Sequence, residues 1–389
     1  MIYFDNAAST AVHPEVVKEM LPYFDVQYGN PSSIHQFGRK AKNAIQKARK
    51  QVAALIGAEP NEILFTSGGT ESNNIILNGV FQLQDPEHDQ NHIITSSIEH
   101  DAVLEPIREF EKNGCQVTYL PVDEHGIVNS DDITNSITSQ TVMVSIMFAN
   151  NEVGTIQPIK EISEICKKYQ IPLHTDAVQA VCKVPINVKV LGVDALSISS
   201  HKINGPKGIG ALFIKKGLMV IPQILGGGQE NGMRSGTENV ASIVGFGKAC
   251  EIAKDKLSDN ISHFQTLHSS MLSRIVKEIP HVKLNGHPEK RIFNNIHLTF
   301  LGVNGEDLII KLDEHGIAAS TGSACSIHTQ KASHVLKAMG FNHEQITGSL
   351  RISFGYTNTL DEINQTVEVL KNVISELRSV SPYKTKYNF

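Results

Sequence analysis

Between Ala41 and Gly57 the apolar residues stand at Ala41, Ala44, Ile45, Ala48, Val52, Leu55 and Ile56. That three- and four-residue spacing lays one apolar stripe along a helix. Gly57 is placed to end it, because glycine accepts the left-handed conformation that follows a last turn. Elsewhere the apolar positions bunch together. The runs "EILFTS", "HIITSS", "QVTYLPV", "TVMVSIMFA" and "IPLHTDAV" are short, rich in β-branched residues and read as strands, with helical patterns between most of them. The alternation predicts an α/β fold built on a mostly parallel, doubly wound sheet. Such sheets gather their chemistry at the C-terminal ends of the strands, where short loops open into a crevice.

Past "GFGKACEIAKDKLSD" the polar content rises, and a second set of elements follows: "NNIHLTF", "GEDLIIKLDEHG", "SLRISFG" and a last helix. They predict a smaller C-terminal α/β domain with its boundary near residue 255. A chain of 389 residues with 40% hydrophobic content can bury a core of that size. The formal charge of -5 gives no bias toward polyanions, so no direct nucleic-acid contact is expected. The start "MIYFDNAAST" lacks the pattern of a secretory signal, and no apolar stretch is long enough to span a bilayer. A soluble, cytoplasmic protein with no membrane partner is the expectation. Five cysteines without a C-x-x-C pair argue against a disulfide framework and a zinc site, so a cysteine with a special role acts as a thiol.

The strand ends carry the candidate chemistry. "ILFTSGGTESNN" leaves a strand at Ser67, passes Gly68 and Gly69 and begins a helix near Thr70, which suits either a phosphate cup or a tight turn. "TSSIEHDAV" puts His100 at another strand end. In "IPLHTDAVQA" a carboxylate, Asp176, closes an apolar strand, where it needs a cationic or hydrogen-bonding partner or serves as a helix cap. His174 with Asp176 suggests a metal pair, but no third ligand is evident nearby. Lys202 ends the next strand in "DALSISSHKINGPKGIGALFI", beside Ser199, Ser200 and His201, where burial favours a nucleophilic amine. Gly205, Gly208 and Gly210 let backbone pack close to it. An amine for a Schiff base, a carboxylate for a pyridinium nitrogen, a phosphate cup and an imidazole are together the needs of pyridoxal 5'-phosphate. Cys325 in "ASTGSACSIHTQKASH" is flanked by small residues, which predict an accessible loop. Cys115, Cys166, Cys182 and Cys250 stand in apolar or helical contexts and read as core fillers.

The segments "YFDNAAST", "YGNPSSIHQFG", "TSGGTESNN", "ANNEVGTIQPI", "HTDAVQA", "SSHKINGPKGIGALF", "GMRSGTENV" and "STGSACS" resemble, in order and over nearly the whole chain, the NifS/IscS cysteine desulfurases. These are class V aminotransferase-group enzymes with the fold type I of pyridoxal-phosphate enzymes. The resemblance implies that Lys202 carries the cofactor as a Schiff base, Asp176 pairs with its ring nitrogen, Gln179 bonds its phenolic oxygen and His100 stacks on the ring and shuttles a proton. It implies a phosphate held by Gly69, Thr70, Ser199 and His201, with Thr237 reaching it from the partner subunit of a homodimer. Asn151, also at the cofactor, and Arg351 would hold the substrate carboxylate. Cys325 would take the sulfur of L-cysteine as a persulfide, leaving L-alanine. The wording after Cys325 resembles the IscS-like group with a longer segment, since the tighter "RTGHHC" context is absent. The same comparison divides the chain into a cofactor-binding domain, residues 15–255, and a smaller domain of residues 1–14 and 256–389 that carries Cys325. Sulfur acceptors would be an iron-sulfur scaffold or a tRNA-thiolating enzyme. The alternatives are another class V enzyme with the same cofactor, such as an aminotransferase or a selenocysteine lyase, and a docking protein that chiefly presents a persulfide.

Overall fold

Gln36–Ile56 is helical, with Ala41, Ile45, Ala48, Val52 and Ile56 buried along the stripe, and Gly57 closes it at φ 72° with its N–H on the Ala53 carbonyl. The computed structural model describes residues 1–83, 91–321 and 332–387; Cys325 lies outside the described residues. The strands are β1 (Ile2–Tyr3), β2 (Ile63–Thr66), β3 (His92–Ser96), β4 (Gln116–Leu120), β5 (Thr141–Ser145), β6 (Leu173–Asp176), β7 (Ala195–Ser199), β8 (Gly210–Ile214), β9 (Val282–Asn285), β10 (Asn295–Phe300), β11 (Ile317–Ala318) and β12 (Ser349–Ser353). Seven of them form one sheet in the order β2-β8-β7-β6-β5-β3-β4. It is parallel except for β8, which runs antiparallel to both neighbours.

Successive side chains of a strand point to opposite faces, and here both faces are covered. Leu64, Ile93, Met143, Ala195 and Leu212 pack against Ile75, Ile76 and Leu77 of the helix Gly69–Phe81 and Val103 and Ile107 of the helix Asp101–Lys112. Their chain neighbours Phe65, Ile94, Val144, Leu196 and Phe213 pack on the other face, under the helices Gln36–Ile56, Ile159–Tyr169 and Val240–Asp255. This two-sided burial is why the strands read as unbroken apolar runs. Another apolar cluster surrounds the antiparallel sheet β12-β10-β9 and the helices Leu257–Glu278, Gly305–Glu314 and Leu360–Ser379, and it takes in Ile2 and Phe4 from the other end of the chain.

Two polar links join that cluster to the large sheet. Arg291, only 1% exposed, donates to the carbonyls of Asn285, His287, Val153 and Asn295. Residues 4–10 cross to the C-terminal edge of the sheet, held by Ser353 at Phe4, Asn6 and Ala7. At that edge Gly210 is the register partner of both Thr66 and Ser199. A Cβ there would stand 2.6 Å from the Ile198 carbonyl oxygen and 2.7 Å from Gly68 Cα, both backbone atoms with no room to yield. Gly210→Ala is therefore expected to cost about 1–3 kcal/mol and to displace the Gly68–Gly69 turn. Thermal denaturation should show a lowered midpoint.

Candidate active site

Five loops leave the C-terminal edge of the sheet and enclose two adjoining cavities of about 590 and 420 Å³. His100, Asn151, Asp176, Gln179, Lys202 and Arg351 line the larger one. Gly69, Thr70, Ser199 and His201 line both. The structure thus brings together ten of the residues singled out in the sequence. Thr237 is exposed and lines neither cavity.

The smaller cavity opens at the start of the helix Gly69–Phe81. An α-helix leaves its first N–H groups without partners in the helix, and its dipole puts partial positive charge there. With Ser199 and the cation Lys207 beside it, this donor set suits a phosphate. His201 contributes as a neutral ring: burial, and then the charges of Lys202, Lys207 and Lys183, bring its pKa down to about 4.

In the larger cavity Asp176 accepts from Asn73 Nδ2 at 2.8 Å and from the Val178 N–H at 2.9 Å. It therefore caps a turn and also presents a carboxylate to the cavity. His174, two residues earlier, gives both ring nitrogens to hydroxyls, Ser145 at 2.9 Å and Ser197 at 3.0 Å. Burial holds its pKa near 3, so it is a neutral core residue. The ammonium of Lys202 donates to the carbonyls of Ala7 at 2.5 Å and Ala8 at 2.7 Å, and Gln179 donates to the same Ala7 carbonyl at 2.9 Å. His100 caps the helix Asp101–Lys112 by accepting from the Ala102 N–H at Nδ1, which puts the proton of the neutral ring on Nε2. Arg351 reaches the Asn151 carbonyl at 3.0 Å and the Asp5 carboxylate at 2.9 Å. A carboxylate for a ring nitrogen, an amine, an arginine fork and a phosphate cup in one enclosure fit pyridoxal 5'-phosphate in both size and charge.

Sequence reasoning passed over several contributors. Asn73, one helical turn past Gly69, supports Asp176. Lys183, a lone cation in the apolar run "AVCKVPI", donates to the Lys202 carbonyl at 2.6 Å, and burial lowers its pKa to about 8. Glu99 is fully buried beside His100, accepting from the Ser96 hydroxyl at 2.6 Å and the Met147 N–H at 2.8 Å. Glu152 lines the larger cavity and takes the Ser333 hydroxyl. The signal available for Lys183 was a single charge inside an apolar run; Glu152, which follows Asn150 and Asn151, carried no such contrast.

The family model for class V aminotransferases matches residues 2–366, a class of pyridoxal 5'-phosphate enzyme whose needs this enclosure meets. A protein of Methanosarcina thermophila named cysteine desulfurase IscS is 50% identical over 386 residues, covering 99% of this chain and 95% of that protein. Among solved structures, a NifS-like protein is 38% identical with a TM-score of 0.91, covering 96% of this chain and 99% of that one. One described as SspA in complex with cysteine is 36% identical with a TM-score of 0.80, covering 91% and 99%. The chain belongs to the class V aminotransferase family and, within it, to the cysteine desulfurases of the IscS and NifS type.

Burial is the largest influence on Glu99, raising its pKa from 4.5 to about 8. A carboxyl whose folded value stands above its unfolded one favours the fold in its protonated form. That contribution is fully present below about pH 4.5 and is lost as pH rises through about 8. Glu99→Gln, which cannot ionise, is expected to gain stability relative to the native chain as pH rises from 5 to 8, by at most about 1.4 kcal/mol per pH unit. Urea unfolding at pH 5, 6.5 and 8 measures it; a constant difference across the three would show that folding does not raise the Glu99 pKa.

Proposed function

We propose that this chain converts L-cysteine to L-alanine and receives the sulfur as a persulfide on Cys325. The observation that carries this reading is the convergence of Lys202, Asp176, Asn151 and Arg351 on one cavity. Its wall includes Ala332, Ser333 and His334, the residues that follow the Cys325 segment. Pyridoxal 5'-phosphate, when bound, supplies an electron sink conjugated to the substrate amine.

The rest is the work of this chain's residues. Asp176, supported by Asn73, keeps a proton on the ring nitrogen. The Lys202 amine takes the proton from the substrate Cα, and the carbonyls of Ala7 and Ala8 hold that amine at the cavity wall. Arg351 and Asn151 grip the substrate carboxylate, for which a guanidinium has the fork geometry. His100 passes protons at Nε2. Gly69, Thr70, Ser199 and His201 hold the phosphate. The Cys325 thiolate attacks the substrate sulfur: the Cβ–S bond breaks with its electron pair going to carbon, an S–S bond forms, a proton is delivered to Cβ, and Lys202 gives a proton back to Cα. Substrate and thiol become alanine and persulfide, with no external oxidant.

We place the cofactor on residues 15–255 and the thiol on a second domain of residues 1–14 and 256–389. The separate apolar cluster that unites Ile2 and Phe4 with the C-terminal helices supports that division. A homodimer is supported by the exposed apolar residues Leu21, Phe24, Val26, Tyr28 and Ile34, and in it Thr237 of one subunit would reach the phosphate cup of the other. The persulfide would pass to an iron-sulfur scaffold or a tRNA-thiolating enzyme in the cytoplasm. That reducing compartment suits Cys115, Cys166, Cys182 and Cys250, which are free thiols.

Incubation of the purified protein with L-cysteine should release alanine and place one extra sulfur on the peptide containing Cys325, read by mass spectrometry. Cys325→Ser should keep the cofactor's colour and its absorbance change with L-cysteine while alanine release falls to background, because a hydroxyl is too weak a nucleophile to accept the sulfur. Lys202→Ala should abolish turnover. Desulfuration by Cys325→Ser at the native rate, or an extra sulfur on another cysteine, would put a lyase or aminotransferase in place of this mechanism.

A further inference from the structure

Lys183 is a buried amine that the proposed chemistry does not use. It is 8% exposed and lines neither cavity, yet it closes the segment that begins at Asp176. From Asp176 the chain passes through two tight turns. The Ala177 carbonyl accepts from the N–H groups of Ala180 and Val181 at 2.9 and 3.1 Å, and the Ala180 carbonyl from those of Lys183 and Val184 at 3.0 and 3.1 Å. Gln179 leaves the first turn to donate to the Ala7 carbonyl. Cys182 stands at φ 66°, a left-handed setting that is costly for a residue with a Cβ, and it reverses the chain just before Lys183.

What Lys183 reaches is the main chain of Lys202. That residue ends the 3-10 turn Ser200–Lys202, whose carbonyls are all engaged. The Ser200 carbonyl accepts from the N–H groups of Ile203 and Gly205 at 3.0 and 3.1 Å. The His201 carbonyl accepts the N–H and the hydroxyl of Thr10, each at 2.9 Å, and the Lys202 carbonyl accepts from Lys183 Nζ at 2.6 Å. The Asn204 carbonyl, just beyond, accepts from the His13 N–H at 2.9 Å. The turn is therefore fastened from two sides, by the first residues of the chain and by Lys183. The second fastening runs from the segment that carries Asp176 and Gln179 to the backbone from which the Lys202 side chain departs.

An apolar side chain would fill this place at lower cost, because an amine taken out of water needs compensation. No carboxylate among the described residues provides it: burial brings Lys183 down to about 8, and the Lys202 carbonyl is its acceptor. The contact survives loss of the charge, since a neutral amine also donates. We infer that Lys183 is a positioning residue for the Lys202 amine: it ties the segment bearing Asp176 and Gln179 to the Lys202 backbone, and so fixes the amine against the carboxylate that faces the ring nitrogen. This role rests on the reading above in which Lys202 carries the cofactor and moves the proton at the substrate Cα. A displaced Lys202 backbone would leave the substrate bound through Arg351 and Asn151 while the proton-accepting nitrogen stood off its line.

The test uses the cofactor-loaded enzyme with Lys183→Met, which keeps the side chain's length and removes its donor, and Lys183→Arg, which keeps a donor. L-alanine in deuterated water is the probe, because exchange of its Cα hydrogen reports the Lys202 proton step without any thiol chemistry. Nuclear magnetic resonance gives the exchange rate per bound cofactor and the half-saturating L-alanine concentration. Circular dichroism of the cofactor's visible band reports how the ring is set. In Lys183→Met the exchange rate should fall about ten- to a hundredfold, as expected for a misplaced reacting group, with the half-saturating concentration within about threefold and the visible dichroism altered. Lys183→Arg should recover most of the rate and the native dichroism. Native exchange and dichroism in Lys183→Met, a loss matched by an equal rise in the half-saturating concentration, or a Lys183→Arg variant as slow as Lys183→Met would each overturn the assignment. Should Lys183→Met not fold, Lys183→Gln, whose amide is one atom short of the ammonium position, carries the same comparison. Borohydride reduction of the native enzyme, followed by peptide mass spectrometry, should fix the cofactor on Lys202. Fixation on another lysine would remove the underlying reading and this role with it, whereas fixation on Lys202 beside native-like Lys183 variants removes this role alone.

Discussion

The ammonium of Lys202 sits at the rim of a sheet buried on both faces, and a charge there must have acceptors. The carbonyls of Ala7 and Ala8 supply them, and that contact commits the first ten residues to lie across the strand ends. Much of the site's architecture follows. Gln179 shares the Ala7 carbonyl; Asp5 is carried to Arg351; Thr10 and Asn204 join the same segment to the turn that follows Lys202. A little further toward the N-terminus, Phe4 and Ile2 enter the apolar cluster of the C-terminal elements. The start of the chain thus fastens the cofactor lysine, the substrate arginine and the second core to one another.

Around this tie, ionisable groups are balanced mainly by neutral donors and acceptors. Asp176 has an amide and a backbone N–H, Lys183 a carbonyl, Glu99 a hydroxyl and an N–H, Glu152 a hydroxyl, and Arg291 four carbonyls. Removal from water pushes Lys183 and Glu99 to about 8 and His201 to about 4, toward their neutral forms in each case. A pocket built from oriented dipoles and few compensated charges has a low local dielectric, so charges brought in by a cofactor or substrate interact strongly with Asp176 and Arg351. These dipoles are fixed before any ligand arrives and need no reorganisation when charge develops.

The cavity is also a meeting place of distant segments. Asn73 reaches Asp176 over 103 residues of sequence, Glu152 reaches Ser333 over 181 and Arg351 reaches Asp5 over 346. Contacts of such separation are made only after the sheet and both cores have assembled, since closing each loop early would cost entropy without the packing that offsets it. The site is therefore a product of the finished fold, although the strands that carry it are defined locally.

What the chain's local pattern determined was the elements and their ends. Period and run length marked the helix up to Gly57 and the strands ending near Thr66, Ser96, Asp176 and Ser199, because side-chain spacing and turn residues act over a few positions. Chemistry-bearing residues at those ends, Lys202 and Asp176 above all, were legible for the same reason: a charge closing an apolar run has few places to go. The reversed strand β8 was not legible, since apolar runs buried on both faces look alike in either direction. Nor were the N-terminal acceptors of Lys202, the buried roles of Asn73, Lys183, Glu99 and Glu152, or the neutrality of His174 between two serine hydroxyls. Each depends on which distant segment packs beside it, and desolvation and hydrogen-bond geometry exist only once the tertiary structure has brought those segments together.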